Sequence, residues 1–303
     1  MDGEVMREEI VRSLLGVCLN IKHQERCLVI CDEESLDTAK VFWKHSENCC
    51  REALFLMLSD FKKGQQLSSC IQSWIGQFEV VQVFSRSELN ESDFRSLQIS
   101  RTRIALFPYA ADEHFFSQLS TDWVKHGTFT RKCAALLGAA EEVRVRDGFG
   151  TDLYFKVNSQ APASVNDGIL SRYGTVGSYP AGFVGVRPLP GTAQGLLALR
   201  NNDAVCLVEV KDGRAVRIMS ACEDAVLEKF IRSRLASRTL SSVGTGTLDS
   251  LPSSGTDRRE KGLVHCEFGL SEGLAKKSVS CFFSKDADVW LDDRLWIEKG
   301  SYV

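Results

Sequence analysis

The sequence lacks the short motifs that mark nucleotide-binding proteins and zinc proteases. Neither GxGxxG nor GxxxxGK[ST] follows a strand-like segment, so the chain offers no glycine-rich loop to hold a phosphate. The helix motif HExxH of zinc proteases is also missing. These absences argue against a nucleotide-dependent enzyme and against a protease built on that motif.

The sequence also has little excess of one charge over the other, and it has no long apolar run. The formal net charge is −3, and the short basic runs RTR at 101–103 and DRRE at 257–260 are predicted to be solvated surface. We therefore expect no nucleic-acid partner. No run approaches the roughly 18 apolar residues of a membrane span, and the first residues, MDGEVMREEI, are acidic, so we expect a cytoplasmic protein without a membrane partner.

Cysteine is abundant but is not arranged for metal binding. The eleven cysteines are odd in number and include no CxxC pair. Several lie in or beside apolar, strand-like runs, as Cys27, Cys31, Cys206 and Cys266 do. Free cysteine behaves as a small buried hydrophobe, so we expect structural thiols in preference to disulfides or zinc ligands.

The first half of the chain alternates between apolar runs and helical patterns. The runs are CLVIC at 27–31, ALFLML at 53–58, FEVVQVF at 78–84 and RIALFP at 103–108. Ser35 is placed to begin the first intervening helix, and a second is predicted over 66–75. Strands separated by helices of this length favour a mainly parallel sheet. Residues 1–140 are therefore predicted to form a Rossmann-like α/β domain.

The second half, 141–303, is predicted to be a β-rich (α+β) domain. Short alternating segments are separated by Gly, Pro and Asn-Asp turns. The best hairpin signal is KDGR at 211–214, where Asp-Gly joins two apolar alternations. One helix is predicted over 223–235, and the Ser/Thr/Gly-rich segment 236–262 is predicted to be a mobile loop.

Three segments of this half carry a resemblance to a known family. They are GFGTDLYFKV at 148–157, PAGFVGVRPLPGTAQGLL at 180–197 and KGLVHCEFG at 261–269. In order and spacing they resemble strands of the thermophilic-type metallo-aminopeptidases and of the related dihydroxypyridine ring-cleaving dioxygenases. The resemblance implies that the second domain is similar to the metallo-aminopeptidase catalytic domain.

The resemblance also implies where metal ligands would stand. Phe183 occupies the position of a strand glutamate, and Ser242 that of a second carboxylate. His265 matches a retained histidine, whereas Val279 and Cys281 stand at the positions of a His-x-Asp pair. Since catalytic metal sites use about three protein ligands, one imidazole is too few. We therefore predict a scaffold without metal or other cofactor.

A different chemistry at His265 is limited by strand geometry. Neighbouring strand residues point to opposite faces, so Cys266 is not expected to serve as the nucleophile of His265. A Cys281–His265 thiol pair across strands stays open, beside the simpler interpretation that His265 is a structural remnant.

The sequence thus predicts a non-catalytic peptide-binding protein on a metallo-aminopeptidase-like scaffold, with the five former ligand positions as its binding site. Its resemblance to the crocagin-type peptide-binding proteins implies that it presents a ribosomal precursor peptide to a modifying enzyme in natural-product biosynthesis. A homodimer is expected, as in the family. The alternatives are an active metal-dependent aminopeptidase and a non-haem iron ring-cleaving dioxygenase.

Overall fold

The structure is a computed structural model that describes residues 2–58, 69–87, 89, 94, 101–201, 204–219, 239–251, 257–269 and 280–303. The chain forms two compact units. Unit 1 contains residues 1–127 and 166–181, and unit 2 contains residues 128–165 and 182–303. The sequence-based boundary at 140 therefore lies 13 residues beyond the first crossing and misses the return of 166–181 to unit 1.

The regular elements alternate in unit 1 and are almost all strands in unit 2. The described helices are α1 (Asp2–Ser13, continued by a π-helical turn over Leu14–Cys18), α2 (Leu36–Glu47), α3 (Ser69–Ile75), α4 (Phe115–Gln118) and α5 (Trp123–Ala139). In chain order the described strands are β1 (Arg26–Asp32), β2 (Glu52–Leu58), β3 (Val80–Ser85), β4 (Arg103–Pro108), β5 (Glu142–Arg146), β6 (Asp152–Lys156), β7 (Ser164–Asn166), β8 (Val176–Ser178), β9 (Phe183–Val186), β10 (Gln194–Asn201), β11 (Ala204–Lys211), β12 (Arg214–Ile218), β13 (Thr239–Gly246), β14 (Val264–Gly269), β15 (Ser280–Ser284), β16 (Asp288–Leu291), β17 (Arg294–Glu298) and β18 (Ser301–Tyr302). Within the described part of the chain, no helix has the length and apolar character to cross a membrane.

Unit 1 is built on a parallel sheet with the strand order β2-β1-β3-β4-β8. Every residue of β3 and β4 is buried, because helices and loops cover both faces of a parallel sheet. Its core stacks the rings of Phe84 and Phe107 with centroids 4.5 Å apart, and Tyr179 lies 5.2 Å beyond Phe107. The four predicted strands of this half are confirmed.

In the described residues of unit 2, the main element is an antiparallel sheet of 13 strands. Its main path runs β15-β14-β13-β12-β11-β10-β6-β5-β16-β17-β18, and β9 pairs with β13 beside this path. The predicted hairpin is confirmed: β11 and β12 are joined at Asp212 and Gly213, whose φ angles are +50° and +76°. Aspartate and glycine tolerate these left-handed conformations, and such turns match the twist of paired strands. The predicted fold class, a parallel α/β layer plus a β-rich domain, is thus confirmed.

Two sequence-based expectations need correction. The predicted loop over 236–262 contains a strand, because Thr239–Gly246 pair with β14 and β9 along most of their length. The basic run at 101–103 is not all solvated: Arg103 and Glu25 are each about 3% exposed at the side chain and form an ion pair of 2.5 Å. The helix predicted over 223–235 lies outside the described residues.

Candidate functional site

Four of the five predicted site positions lie on adjacent strands of unit 2. Phe183 begins β9, Ser242 lies on β13, His265 on β14 and Cys281 on β15. These strands pair in the order β9-β13-β14-β15. Val279 lies outside the described residues. The register therefore brings together positions that are up to 98 residues apart in the sequence, from Phe183 to Cys281.

The alternation of strand residues assigns the site to one face of these strands. Val184, Val243 and Cys266 belong to the hydrophobic core of unit 2. Because neighbouring residues of a strand point to opposite faces, the side chains of Phe183, Ser242 and His265 point away from that core. The expectation that Cys266 and His265 face opposite sides is met by this packing.

His265 is enclosed although it faces away from the core. Its side chain is 1% exposed, and its ring meets the ring of Phe183 edge to face, with centroids 6.1 Å apart. Gly244 is its partner on β13. A Cβ atom at position 244 would lie 2.8 Å from Cε1 of His265 and 2.2 Å from the carbonyl oxygen of Val184. The absence of a side chain at Gly244 therefore makes the room that the imidazole and the neighbouring strand occupy.

The imidazole of His265 is uncharged at neutral pH. Burial, with a smaller contribution from the nearby charge of Arg258, lowers the pKa of His265 to about 3. Its Nδ1 atom is buried and has no hydrogen-bond partner among the described residues. Buried polar atoms usually have a partner, so this free nitrogen is the most unusual polar feature of the site.

Arg258 contributes a positive charge that the sequence-based interpretation missed. Its guanidinium carbon lies 4.2 Å from the centre of the Phe183 ring, and its Nη1 donates to Oε1 of Glu267 at 3.2 Å. The side chains of Arg258 and Glu267 are 40% and 19% exposed. Stacking on an aromatic face combined with pairing to a carboxylate is an arrangement for which the planar guanidinium is well suited. The prediction that the run 257–260 is solvated surface is wrong for its other members: Glu260 is 7% exposed, and the side chains of Arg259 and Asp257 are 17% and 27% exposed. Arg258 is partly exposed but is held by these two contacts.

Backbone hydrogen bonds hold the segment that carries Arg258. The amide of Leu248 donates to the carbonyl of Arg259 at 2.9 Å, and the amide of Lys261 donates back to Leu248 at 3.1 Å. Next to them, the amide of Gly262 donates to the carbonyl of Gly246 at 3.0 Å. Residues 259–262 are thereby attached to the end of β13, so the backbone beside Arg258 is held in place apart from the contacts of its side chain.

The positions of Ser242 and Cys281 follow from strand register. Ser242 is partly buried and lies opposite Glu267 on β14. Glu267 in turn pairs with Cys281 on β15, whereas His265 pairs with Phe283. In this register Cys281 is therefore a diagonal neighbour of His265, and the residue directly opposite His265 is Phe283.

The described residues at this site do not fit a catalytic metal. His265 and Glu267 provide two donors, and no group of three His, Cys, Asp or Glu side chains occurs in the described part of the chain. Phe183 supplies a ring with no ligating atom, and Arg258 places a cation on the remaining carboxylate. A guanidinium in this place repels a divalent cation. The polar groups of this site are therefore an arginine–glutamate ion pair and a neutral imidazole.

Sequence reasoning found Phe183 and His265 through the family resemblance, but it left Arg258 and Glu267 out of the predicted site. The strand alternation does predict that Glu267 shares the face of His265, since it lies two residues further on. Arg258 carried no local signal, because an arginine flanked by Asp257, Arg259 and Glu260 has the composition of an exposed turn.

Comparisons with known proteins agree with this architecture. Residues 95–238 match the family model described as NicX, 2,5-dihydroxypyridine 5,6-dioxygenase. The matched range includes Phe183 and ends before Ser242 and His265. None of the curated protein sequences matches the chain.

Two solved structures share the fold over nearly the whole chain. The 2,5-dihydroxypyridine dioxygenase of Pseudomonas putida KT2440 has a TM-score of 0.78 and 15% identity, with 98% of this chain and 96% of that chain covered. Wild-type AmpT from Thermus thermophilus has a TM-score of 0.69 and 12% identity, with 99% of each chain covered. The predicted resemblance to both families is thus confirmed: the chain shares their fold, and its residues 95–238 match the sequence model of the dioxygenases.

Proposed function

We propose that this protein binds a short peptide at the face formed by β9, β13 and β14 and does not cleave it. The observation that carries the proposal is that His265 is surrounded by the Phe183 ring and, beyond it, the Arg258 guanidinium, neither of which has an atom that ligates a metal. A hydrolytic mechanism of the metal-dependent kind needs an activated water, which requires a larger donor set than His265 and Glu267.

The same groups are suited to hold a peptide. Phe183 offers partly exposed apolar surface, and burial of a Leu-sized or Phe-sized side chain against such a surface contributes roughly 1.5–3 kcal/mol. Arg258 is about two-fifths exposed and, among the described residues, only its Nη1 has a hydrogen-bond partner. Its other N–H groups are donors for a peptide carbonyl or carboxylate. β15 has β14 as its single partner in the described part of the chain, so its outer edge also suits strand addition.

The proposal is tested with a defined set of synthetic peptides of three to eight residues, measured by isothermal titration calorimetry. We expect at least one class to bind with a Kd of about 100 μM or tighter, which corresponds to roughly −5.5 kcal/mol. Mass spectrometry after overnight incubation should show the bound peptide intact. The charge-reversing variant Arg258→Glu is expected to weaken binding at least tenfold, while Lys132→Glu, a reversal at an exposed lysine on α5, is the matched control.

Two results contradict the proposal. If no peptide binds at several hundred micromolar, the protein is not a peptide receptor of this kind. If a bound peptide is shortened by one residue from its amino end, the protein is an aminopeptidase.

We further propose that the ligand is a precursor peptide presented to a modifying enzyme, by a cytoplasmic homodimer. This extension rests on the retained scaffold combined with the altered ligand positions. Native mass spectrometry of the purified protein measures the dimer directly. Addition of the protein to a peptide-modifying enzyme should raise the rate of modification of the bound peptide, and an unchanged rate counts against presentation.

The specific alternative is a ring-cleaving dioxygenase, since the family match and the higher of the two TM-scores both involve that activity. Elemental analysis separates it from the peptide-binding proposal. We expect well below 0.2 equivalents of iron, zinc, manganese or cobalt per chain in protein purified without chelators. About one equivalent that is abolished by His265→Ala, together with consumption of oxygen on addition of 2,5-dihydroxypyridine, would instead establish the enzyme.

A further inference from the structure

The face that carries His265 presents a pair of donors that could begin a metal site. His265 and Glu267 are two residues apart on β14 and therefore point the same way. The imidazole is neutral, which is the form that binds metals, and its Nδ1 is a buried nitrogen with no partner among the described residues. A neutral imidazole beside a carboxylate is a common start of a ligand set.

This pair is already associated with a cation of the protein itself. Arg258 donates Nη1 to Glu267 at 3.2 Å and lies 4.2 Å above the ring of Phe183, which in turn contacts His265 edge to face. A guanidinium is a planar cation whose shape suits both of these contacts. Four hydrogen bonds of 2.9–3.1 Å tie residues 259–263 to Gly246 and Leu248, at and just beyond the end of β13, and so hold the backbone next to Arg258.

We propose that Arg258 is the resident cation of this site: it neutralises Glu267 in place of a metal ion and excludes divalent metals from His265. In this proposal the site differs from a metal site in two ways: it has fewer ligands, and the guanidinium of Arg258 provides the positive charge. The residues at 183 and 258 act together in this proposal. The aromatic ring of Phe183 stabilises the Arg258 guanidinium, whereas a ligating side chain at position 183 would attract a metal. The inference holds whichever ligand the protein binds, so it does not depend on the peptide-binding proposal.

A four-protein cycle tests the proposal: wild type, Phe183→Glu, Arg258→Gln and the double variant. Phe183→Glu completes a set of three donors with His265 and Glu267, and Arg258→Gln removes the cation with a small change of shape. Co²⁺ is titrated into each protein and followed by visible absorption and by calorimetry, with thermal unfolding as the check of folding.

We expect no stoichiometric Co²⁺ binding to wild type at 1 mM metal. The double variant is expected to bind one Co²⁺ at least 100-fold more tightly than Phe183→Glu alone, because in the single variant Arg258 pairs with the added carboxylate. Adding His265→Phe to the double variant should abolish this binding. If Phe183→Glu binds Co²⁺ as tightly as the double variant, or if wild type binds one Co²⁺ that His265→Phe removes, the proposal is wrong.

A second comparison applies if the glutamate variants do not fold. Arg258→Gln and Arg258→Lys introduce no new acidic group and differ only in whether a positive charge remains. In two-dimensional NMR spectra with millimolar Co²⁺, we expect paramagnetic broadening of the His265 and Glu267 signals in the glutamine variant and none in the lysine variant. Equal broadening in both variants would show that the charge does not exclude the metal.

Discussion

Replacing Gly244 by alanine is expected to lower the free energy of local opening of β13 by about 3 kcal/mol or more. The new Cβ atom would lie 2.2 Å from the carbonyl oxygen of Val184 and 2.8 Å from Cε1 of His265. The first contact is with backbone, so β9 must move away from β13 to relieve it. Overpacking of this kind typically costs 1–3 kcal/mol and occasionally more, and here it also breaks strand pairing. Hydrogen exchange measured by mass spectrometry should show about 100-fold faster exchange in peptides covering 239–246.

Two further glycines make this a graded series. A Cβ at Gly185 would meet the side-chain oxygen of Ser242 at 3.1 Å, which leaves room for a small adjustment, so Gly185→Ala is expected to have a smaller effect. A Cβ at Gly148 would meet nothing within 4 Å, so Gly148→Ala is the control and should leave exchange in 239–246 unchanged. If the Gly244 and Gly148 variants behave alike, β9 and β13 are not packed as described.

His265 is expected to make the protein sensitive to mild acid. Burial lowers its pKa to about 3 in the folded state, whereas an unfolded histidine titrates near 6.5. Between these values the unfolded chain binds a proton that the folded chain does not, so stability is present above pH 6.5 and falls as the pH is lowered. The slope from one such group is at most about 1.4 kcal/mol per pH unit, which amounts to roughly 3 kcal/mol between pH 7 and pH 4.

The variant His265→Phe should remove this part of the pH dependence. Urea unfolding followed by circular dichroism is compared at pH 7 and pH 4 for both proteins. The variant should gain about 3 kcal/mol relative to wild type over this interval, whatever its stability at pH 7. His114→Phe is the control, since the His114 side chain is 72% exposed and its removal should leave the slope unchanged. An identical pH dependence of wild type and His265→Phe would contradict the description of His265 as a buried neutral imidazole.

The secondary structure of unit 1 was predictable because its strands are short, uninterrupted apolar runs. The run at 103–108 became β4 with the same bounds, and the run at 27–31 became β1 with one further residue at each end. In a parallel sheet both faces of a strand are buried, so the apolar run itself reports the strand. The Asp-Gly turn at 212–213 was equally local, since its two residues tolerate the backbone angles that the turn requires.

β13 was missed because its composition is that of a linker. The strand Thr239–Gly246 contains serine, threonine and two glycines, and such segments bury little apolar surface on their own. Positions 244 and 246 have no room for a side chain. The His265 ring and the backbone of β9 approach Gly244, and the carbonyl oxygen of Glu260 approaches Gly246. Glycine occurs both where a distant segment approaches the backbone closely and where a chain is flexible, so the sequence alone does not distinguish the two.

By itself the sequence determined the local elements of unit 1, the β-rich character of the second half and the face on which His265 lies. These depend on residues that are near neighbours in the chain, where the two-residue period of a strand links pattern to geometry. The tertiary structure alone decided that Arg258, in a turn of acidic and basic residues, lies on Phe183 and pairs with Glu267. That contact arises from the docking of 259–262 on the end of β13, and the attraction between its partners acts only once separate strands have brought them within a few ångströms.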